Sequence, residues 1–166
     1  MHYTIIAGSN RQGSYTEKVA RVYQELLETR GVHPAFLSLY GTDILERTPR
    51  FVEMEASVLV PAQKFIMIVP EYNGTFPGVL KAMIDNTDIK KVWYHKKALL
   101  TGVSLGRAGN LRGLDHLAAS LHFMKVHVHH DKLPISVIDK VMTPEGKLDE
   151  ATMKAVTGQL EDFIAF

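Results

Sequence analysis

Short apolar or β-branched runs alternate along the chain with longer amphipathic stretches, the pattern of βα units laid on a parallel sheet. Five units can be counted. The first run, Tyr3 to Ala7, ends at Gly8-Ser9. A helical pattern follows from about Ser14 to Arg30, burying Val19, Val22, Tyr23 and Leu26 before Gly31 stops it. A second strand is expected over His33 to Leu39, then a turn-rich loop from Gly41 to Phe51 and a helix from Phe51 to Gln63. The third run, Phe65 to Val69, is apolar without alternation, as a strand covered on both faces should be, and belongs at the sheet's centre. Beyond it come a loop from Pro70 to Gly74, a helix from Pro77 to Asp88 and a fourth strand from Ala98 to Ser104. A glycine-studded loop, Gly106 to Gly109, leads into a helix from Asn110 to Phe123. The fifth strand starts near Lys125, breaks around His130 to Leu133 and resumes at Pro134 to Ile138. Turn residues fill Lys140 to Leu148, and a last helix runs from Asp149 to Phe163.

Right-handed helical crossovers between such strands give a doubly wound α/β fold, here a single domain over residues 1–166. Ligands bind these sheets beyond the carboxyl ends of the strands, where strand order reverses. The loops after strands one, three and four are therefore the places to look for function.

Composition narrows the function. With 46% hydrophobic and 22% charged residues, the 166-residue chain has the means to build a proper core, which excludes intrinsic disorder. Nineteen Lys and Arg against eighteen Asp and Glu leave a net charge of +1, too little for a protein that lives on nucleic-acid phosphate. The absence of cysteine removes thiolate metal sites, disulfides and cysteine nucleophiles together. No apolar run approaches the roughly 18 residues of a membrane span, and Met1 to Gly8 carries no basic leader, so a cytoplasmic protein without a membrane partner is expected.

Chemistry concentrates in the three loops. Gly8-Ser9-Asn10-Arg11-Gln12-Gly13-Ser14 sets hydroxyls and a guanidinium beside the free N–H groups of a helix N-terminus, an arrangement suited to one terminal phosphate. It lacks the spacing of a dinucleotide fingerprint and the lysine of a triphosphate loop. The plainer reading is that Ser9 or Ser14 caps the helix and Arg11 is solvated. Pro70-Glu71-Tyr72-Asn73-Gly74 offers backbone donors and a ring to the rim of a flat heterocycle, or is an ordinary turn with Asn-Gly supplying positive φ. Ser104-Leu105-Gly106-Arg107-Ala108-Gly109 lets backbone approach a ligand closely, or uses its glycines only for packing. His127 and His129 share a face if the strand alternates, but without cysteine and with only Asp131 nearby no metal site is expected.

GSNRQGS after the first strand, PEYNGTFPGVLKAMID after the third and SLGRAGNLRG after the fourth resemble the NAD(P)H-dependent FMN reductases, whose members include quinone, azo-dye and chromate reductases. The resemblance spans essentially the whole chain. It implies a flavodoxin-like five-stranded parallel sheet of order 2-1-3-4-5, and an FMN whose phosphate is held by Ser9, Arg11 and Ser14 with Thr16 nearby. Pro70, Glu71, Tyr72, Asn73 and Gly74 would line the isoalloxazine, with Ser104, Gly106, Arg107, Ala108 and Gly109 along its other side. It further implies a hydride taken from NADPH or NADH, a quinone-like or other small-molecule electron acceptor, ping-pong kinetics, no catalytic acid–base residue, and a homodimer or homotetramer. Thr16, Asn86, Leu105 and Arg107 depart from the family pattern, and the changes at Asn86 and Arg107 bear on acceptor choice and assembly more than on FMN binding. Two other readings stand beside the reductase: a flavodoxin-type FMN electron carrier, against which the charge of +1 weighs, and a non-redox FMN-binding protein.

Overall fold

The computed structural model describes residues 1–166. Parallel strands β1 (Tyr3–Ala7), β2 (Ala35–Ser38), β3 (Lys64–Pro70), β4 (Lys97–Val103) and β5 (His127–Val128) lie in the order β2-β1-β3-β4-β5, and β6 (Leu133–Ile135) also pairs with β4. β5 runs beside Lys97 and Ala98, whereas β6 runs beside Thr101 to Val103, so the two together make one interrupted fifth strand, as the sequence break suggests. Gln159 fills the gap: its Nε2 donates to Leu100 O (3.1 Å) and Asp131 O (2.8 Å), replacing a missing strand partner. Its Oε1 accepts from the buried Tyr23 hydroxyl (2.5 Å).

Strand alternation divides the interior into two cores. Ile6, Phe65, Met67, Val69 and Leu100 face helices α2 (Pro49–Met54), α3 (Gly78–Asn86) and α5 (Leu111–Phe123) in a cluster of 23 buried residues. Ile5, Ile66, Ile68 and Leu99 face α1 (Tyr15–Glu28) and α7 (Glu150–Ala165) in a cluster of 18. Both faces of the central strands are thus covered, which is why β3 reads as an unbroken apolar run. No helix is long and apolar enough to cross a membrane.

Differences from the sequence reading have local causes. On α1 it is Leu27 that is fully buried, while Leu26 is half-buried. The helix expected to reach Gln63 becomes α2 followed by a π-helical turn, Glu55–Leu59, and stops before Pro61, which has no N–H to continue it. That turn carries Glu55 inward, where Arg47 binds both carboxylate oxygens (3.0 and 2.6 Å) and Asp88 N donates (2.5 Å). These contacts hold the Glu55 carboxyl below the usual carboxylate range, the Arg47 hydrogen bonds being the largest cause. Asn86 belongs to the same structural knot: its Nδ2 donates to Ile44 O and its carbonyl accepts from Arg47. Two short helices were not foreseen. Asp88 caps α4 (Ile89–Val92) by accepting from Lys90 N and Lys91 N, and Val137 in a left-handed conformation ends the fifth strand and starts α6 (Ile138–Val141).

Candidate functional site

The loops after β1, β3 and β4 meet at the carboxyl edge of the sheet around a cleft of about 440 Å³. Ser14 caps α1, accepting from Glu17 N (3.2 Å) through Oγ, which leaves its hydroxyl proton free to donate into the cleft. Ser9 is no cap. Its hydroxyl, 2% exposed as a residue, pairs with the Tyr72 hydroxyl (2.8 Å) and accepts from Arg11 N (3.2 Å). The Arg11 guanidinium lies 4.2 Å from the centre of the Tyr72 ring and makes no ion pair or side-chain hydrogen bond. Thr16, buried in the first turn of α1, completes this wall.

Tyr72 N donates to Thr75 O (2.9 Å) and Thr75 N to Tyr72 O (3.3 Å), closing a two-residue turn over Asn73 (φ 52°) and Gly74 (φ 82°). Positive φ at both positions is the type I′ geometry for which Asn-Gly is the favoured pair. Glu71 N donates to Val103 O (3.0 Å), tying the turn to β4. Beneath it, buried Asn110 donates from Nδ2 to Val69 O (3.0 Å) and Pro70 O (2.9 Å), a fastening that its position in a glycine-rich stretch did not disclose.

The structure brings Ser9, Arg11, Ser14, Thr16, Pro70, Glu71, Tyr72, Asn73, Gly74, Ser104 and Gly106 to the cleft wall. It does not bring Arg107, Ala108 or Gly109 there. After Gly106 the chain turns away, and Gly109 (φ 55°) packs so tightly on Pro134 that a Cβ would lie 2.6 Å from its carbonyl carbon. Packing is thus the role of that glycine, and Arg107 offers its carbonyl to Ser136 Oγ (2.7 Å) with its side chain in solvent. Gln12, Gly13, Tyr15, Val103, Leu105 and Ile138 line the cleft in addition. Gln12, Gly13 and Tyr15 could have been found from their place in the phosphate-type loop, whereas Ile138 arrives from beyond β6 with no local signal.

The histidine cluster takes an unexpected form. β5 ends at Val128, so the expected alternation does not extend: His127 is exposed while His129 is buried. His129 Nε2 lies 3.2 Å and His130 Nε2 3.6 Å from Asp162 Oδ2, a carboxylate supplied by α7. Asp131 contributes its backbone N–H, which faces His129 Nδ1 (3.3 Å) and assigns the ring proton to Nε2, as a donor to Asp162. A metal on Nε2 would need that proton on Nδ1, opposite another donor.

Residues 1–137 match the family described as NADPH-dependent FMN reductase. An NAD(P)H-dependent FMN reductase of Pseudomonas aeruginosa is 29% identical, over 94% of this chain and 89% of its own. A quinone reductase of Escherichia coli strain K12 is 30% identical, over 97% of this chain and 92% of its own. In structure, a flavoenzyme NAD(P)H:acceptor oxidoreductase of Paracoccus denitrificans superposes with a TM-score of 0.83 at 22% identity, over 99% of this chain and 95% of that one. A flavodoxin from the domain Archaea superposes at 0.70 with 15% identity, over 98% and 95% of the two chains. The sheet order, the position of the cleft and these likenesses agree: the chain belongs to the NADPH-dependent FMN reductase family, oxidoreductases related to quinone reductases, and has a flavodoxin-like fold.

Proposed function

We propose that residues 1–166 form one FMN-binding domain whose cleft holds the flavin and which passes reducing equivalents from NAD(P)H to a quinone-like acceptor. The observation that carries this reading is Arg11, held over Tyr72 without an anionic partner beside the serine-lined N-terminus of α1. A guanidinium kept in place and left unpaired is suited to a phosphate dianion, as are the unbonded N–H groups of the helix start. The cleft volume of about 440 Å³ also falls within the range of about 300–1,000 Å³ usual for cofactor sites.

Ser9, Arg11, Ser14 and Thr16 would hold the phosphate, and the backbone of Pro70 to Gly74 would border the ring. Ser104 and Gly106 lie on the opposite wall; the Ser104 N–H is taken by Ile135 O, so it is the Leu105 and Gly106 N–H groups that would favour the negative charge of a reduced ring. Bound FMN supplies the redox chemistry, so that NAD(P)H, a proton and a quinone become NAD(P)⁺ and a hydroquinone. The protein's own contribution is to bind and orient, with no side chain required as acid or base. The cleft is open on one side, which suits two substrates that occupy it in turn, and assembly into a homodimer or homotetramer is part of the same reading.

Anaerobic titration of the FMN-reconstituted protein with NADPH tests it. Stoichiometric bleaching of the visible flavin bands is the expected result. Flavin that binds and stays oxidised would favour the electron-carrier or non-redox role, and failure to bind FMN would overturn the assignment of the cleft.

A further inference from the structure

Across the cleft from Arg11, the loop after β4 forms a lip whose apex is Leu105, a cleft-lining residue that is 65% exposed. A single exposed leucine needs no explanation in itself. What sets this one apart is how firmly the backbone on either side of it is held. Ser104 N donates to Ile135 O (3.1 Å) and Ser104 Oγ to Gly106 O (2.8 Å). From the segment after β6, Val137 N donates to Gly106 O (3.0 Å) and Ile138 N to Ser104 O (3.0 Å). Ser136 Oγ donates to Arg107 O (2.7 Å).

Val137 makes two of these contacts possible at a cost. It adopts φ 43°, ψ 48°, the left-handed region, where a β-branched side chain crowds its own backbone and is a genuine outlier. Such strain persists only where the surroundings over-determine it. Here it turns the chain so that the Val137 and Ile138 N–H groups face the lip and Ile138 joins the cleft wall. The result is an asymmetric mouth, with Arg11 and the Ser14 hydroxyl on one side and the exposed Leu105, over buried Val103 and Ile138, on the other.

Building on the reading of this cleft as a flavin site, we propose that Leu105 selects acceptors with an apolar ring, and that Val137 is the positioning residue that holds Leu105 at the mouth. An uncharged fused-ring quinone would bury its hydrocarbon edge against the leucine side chain, whereas a small hydrophilic oxidant would gain nothing there. A quinone takes two electrons and two protons to become a hydroquinone, and ferricyanide takes one electron per ion, so two ions reoxidise one reduced FMN. NADPH is the reductant in both cases.

The test is the reoxidation of NADPH-reduced holoprotein, mixed anaerobically with 2-methyl-1,4-naphthoquinone or with ferricyanide in a stopped-flow instrument. In Leu105→Ser the naphthoquinone rate constant is expected to fall at least fivefold and the ferricyanide constant less than twofold, while Leu105→Met keeps the wild-type ratio. Val137→Pro, which deletes the N–H donated to Gly106 O and excludes the left-handed φ, is expected to lower the naphthoquinone-to-ferricyanide ratio at least threefold, whereas Val137→Gly, which keeps the turn without the strain, is expected to raise the melting temperature and keep the wild-type ratio. A ratio unchanged in Leu105→Ser would overturn the selectivity role, and so would loss of FMN from that variant, which would make Leu105 a cofactor contact. An unchanged ratio in Val137→Pro, or a lowered one in Val137→Gly, would overturn the positioning role. Failure of the cleft assignment itself shows earlier and separately, as wild-type protein that takes up no FMN.

Discussion

At the amino ends of β3 and β4, Lys64 and Lys97 lie in register and direct their ammonium groups at the last turn of α7, whereas at the carboxyl ends Arg11 lies over Tyr72 with no acceptor at all. Lys64, 1% exposed, donates to Phe163 O (2.8 Å) and Ile164 O (3.0 Å), carbonyls that a helix C-terminus leaves without partners. Lys97 donates to Phe166 O, and Lys96 donates to Val60 O and Ala62 O. Positive charge at one end of the sheet is committed to the protein's own backbone; at the other Arg11 has no acceptor within the protein, as the proposed phosphate role requires. The contrast separates residues whose loss should cost stability from residues whose loss should cost binding.

The largest effect is expected where the cation is most committed. Lys64→Met leaves one buried and one part-buried carbonyl unsatisfied and should cost about 3 kcal/mol, seen as about 6–12 °C in melting temperature for a chain of this size, with FMN affinity changed less than twofold. Burial, and then the charge of Lys97, lowers the Lys64 pKa. Between that lowered value and the ordinary lysine range the unfolded chain binds more protons than the folded one, so stability gains with rising pH through the window. The stability difference between wild type and Lys64→Met, followed by denaturant titration toward pH 10, should therefore widen.

Glu55→Gln comes next. It weakens the bidentate contact to Arg47 and should cost about 2 kcal/mol, since hydrogen bonds to charged groups contribute about 1.5–3 kcal/mol. Because the Glu55 pKa is lowered, its contribution is complete above the usual carboxylate range and is lost as pH falls through the lowered value. Urea midpoints of the two proteins should converge in acid. A gap that stays constant to the lowest accessible pH would mean that packing, rather than ionisation, explains the loss.

At the other end the same logic reverses. Arg11→Ala combined with Ser14→Ala should weaken FMN binding at least tenfold, about 1.4 kcal/mol, measured by quenching of flavin fluorescence. The two residues are not equivalent, because Ser14 also caps α1. Ser14→Ala should destabilise the flavin-free protein by about 1 kcal/mol, and Arg11→Ala should leave its stability unchanged. Undiminished affinity in the double variant would remove the phosphate role from this loop.

What could be read from the chain follows the range of the physics. Apolar periodicity, caps and turn chemistry are local, so β3, the Ser14 cap, the α/β class and the Asn73-Gly74 turn were legible. That the loops after β1 and β3 line one cleft was legible because each leaves a strand directly at the sheet's carboxyl edge. The third loop was legible only as far as Gly106. Its remaining residues follow the demand of Gly109 for contact with Pro134, a partner brought in by β6, and no pattern within 104–109 could signal it. Ile138 in the cleft wall, Asp162 beside the histidines and Gln159 in the strand gap share that cause: each is placed by an element remote in sequence.

The smallest effect bears on the loop where both explanations meet. Asn73 sits at φ 52°, where asparagine and glycine rest easily and other residues do not. Asn73→Gly should therefore shift stability by less than about 0.5 kcal/mol, while Asn73→Ala, strained at the same φ, should lose about 1 kcal/mol. If the loop serves the flavin through its backbone, Asn73→Gly should also bind FMN and be bleached by NADPH as the wild type is. Asn73→Pro, whose ring demands φ near about −65°, should lose both the turn and the reaction. Weaker FMN binding by Asn73→Gly at unchanged melting temperature would instead place the asparagine amide against the ring, and would move this residue from the side of the molecule that shapes the cleft to the side that recognises its ligand.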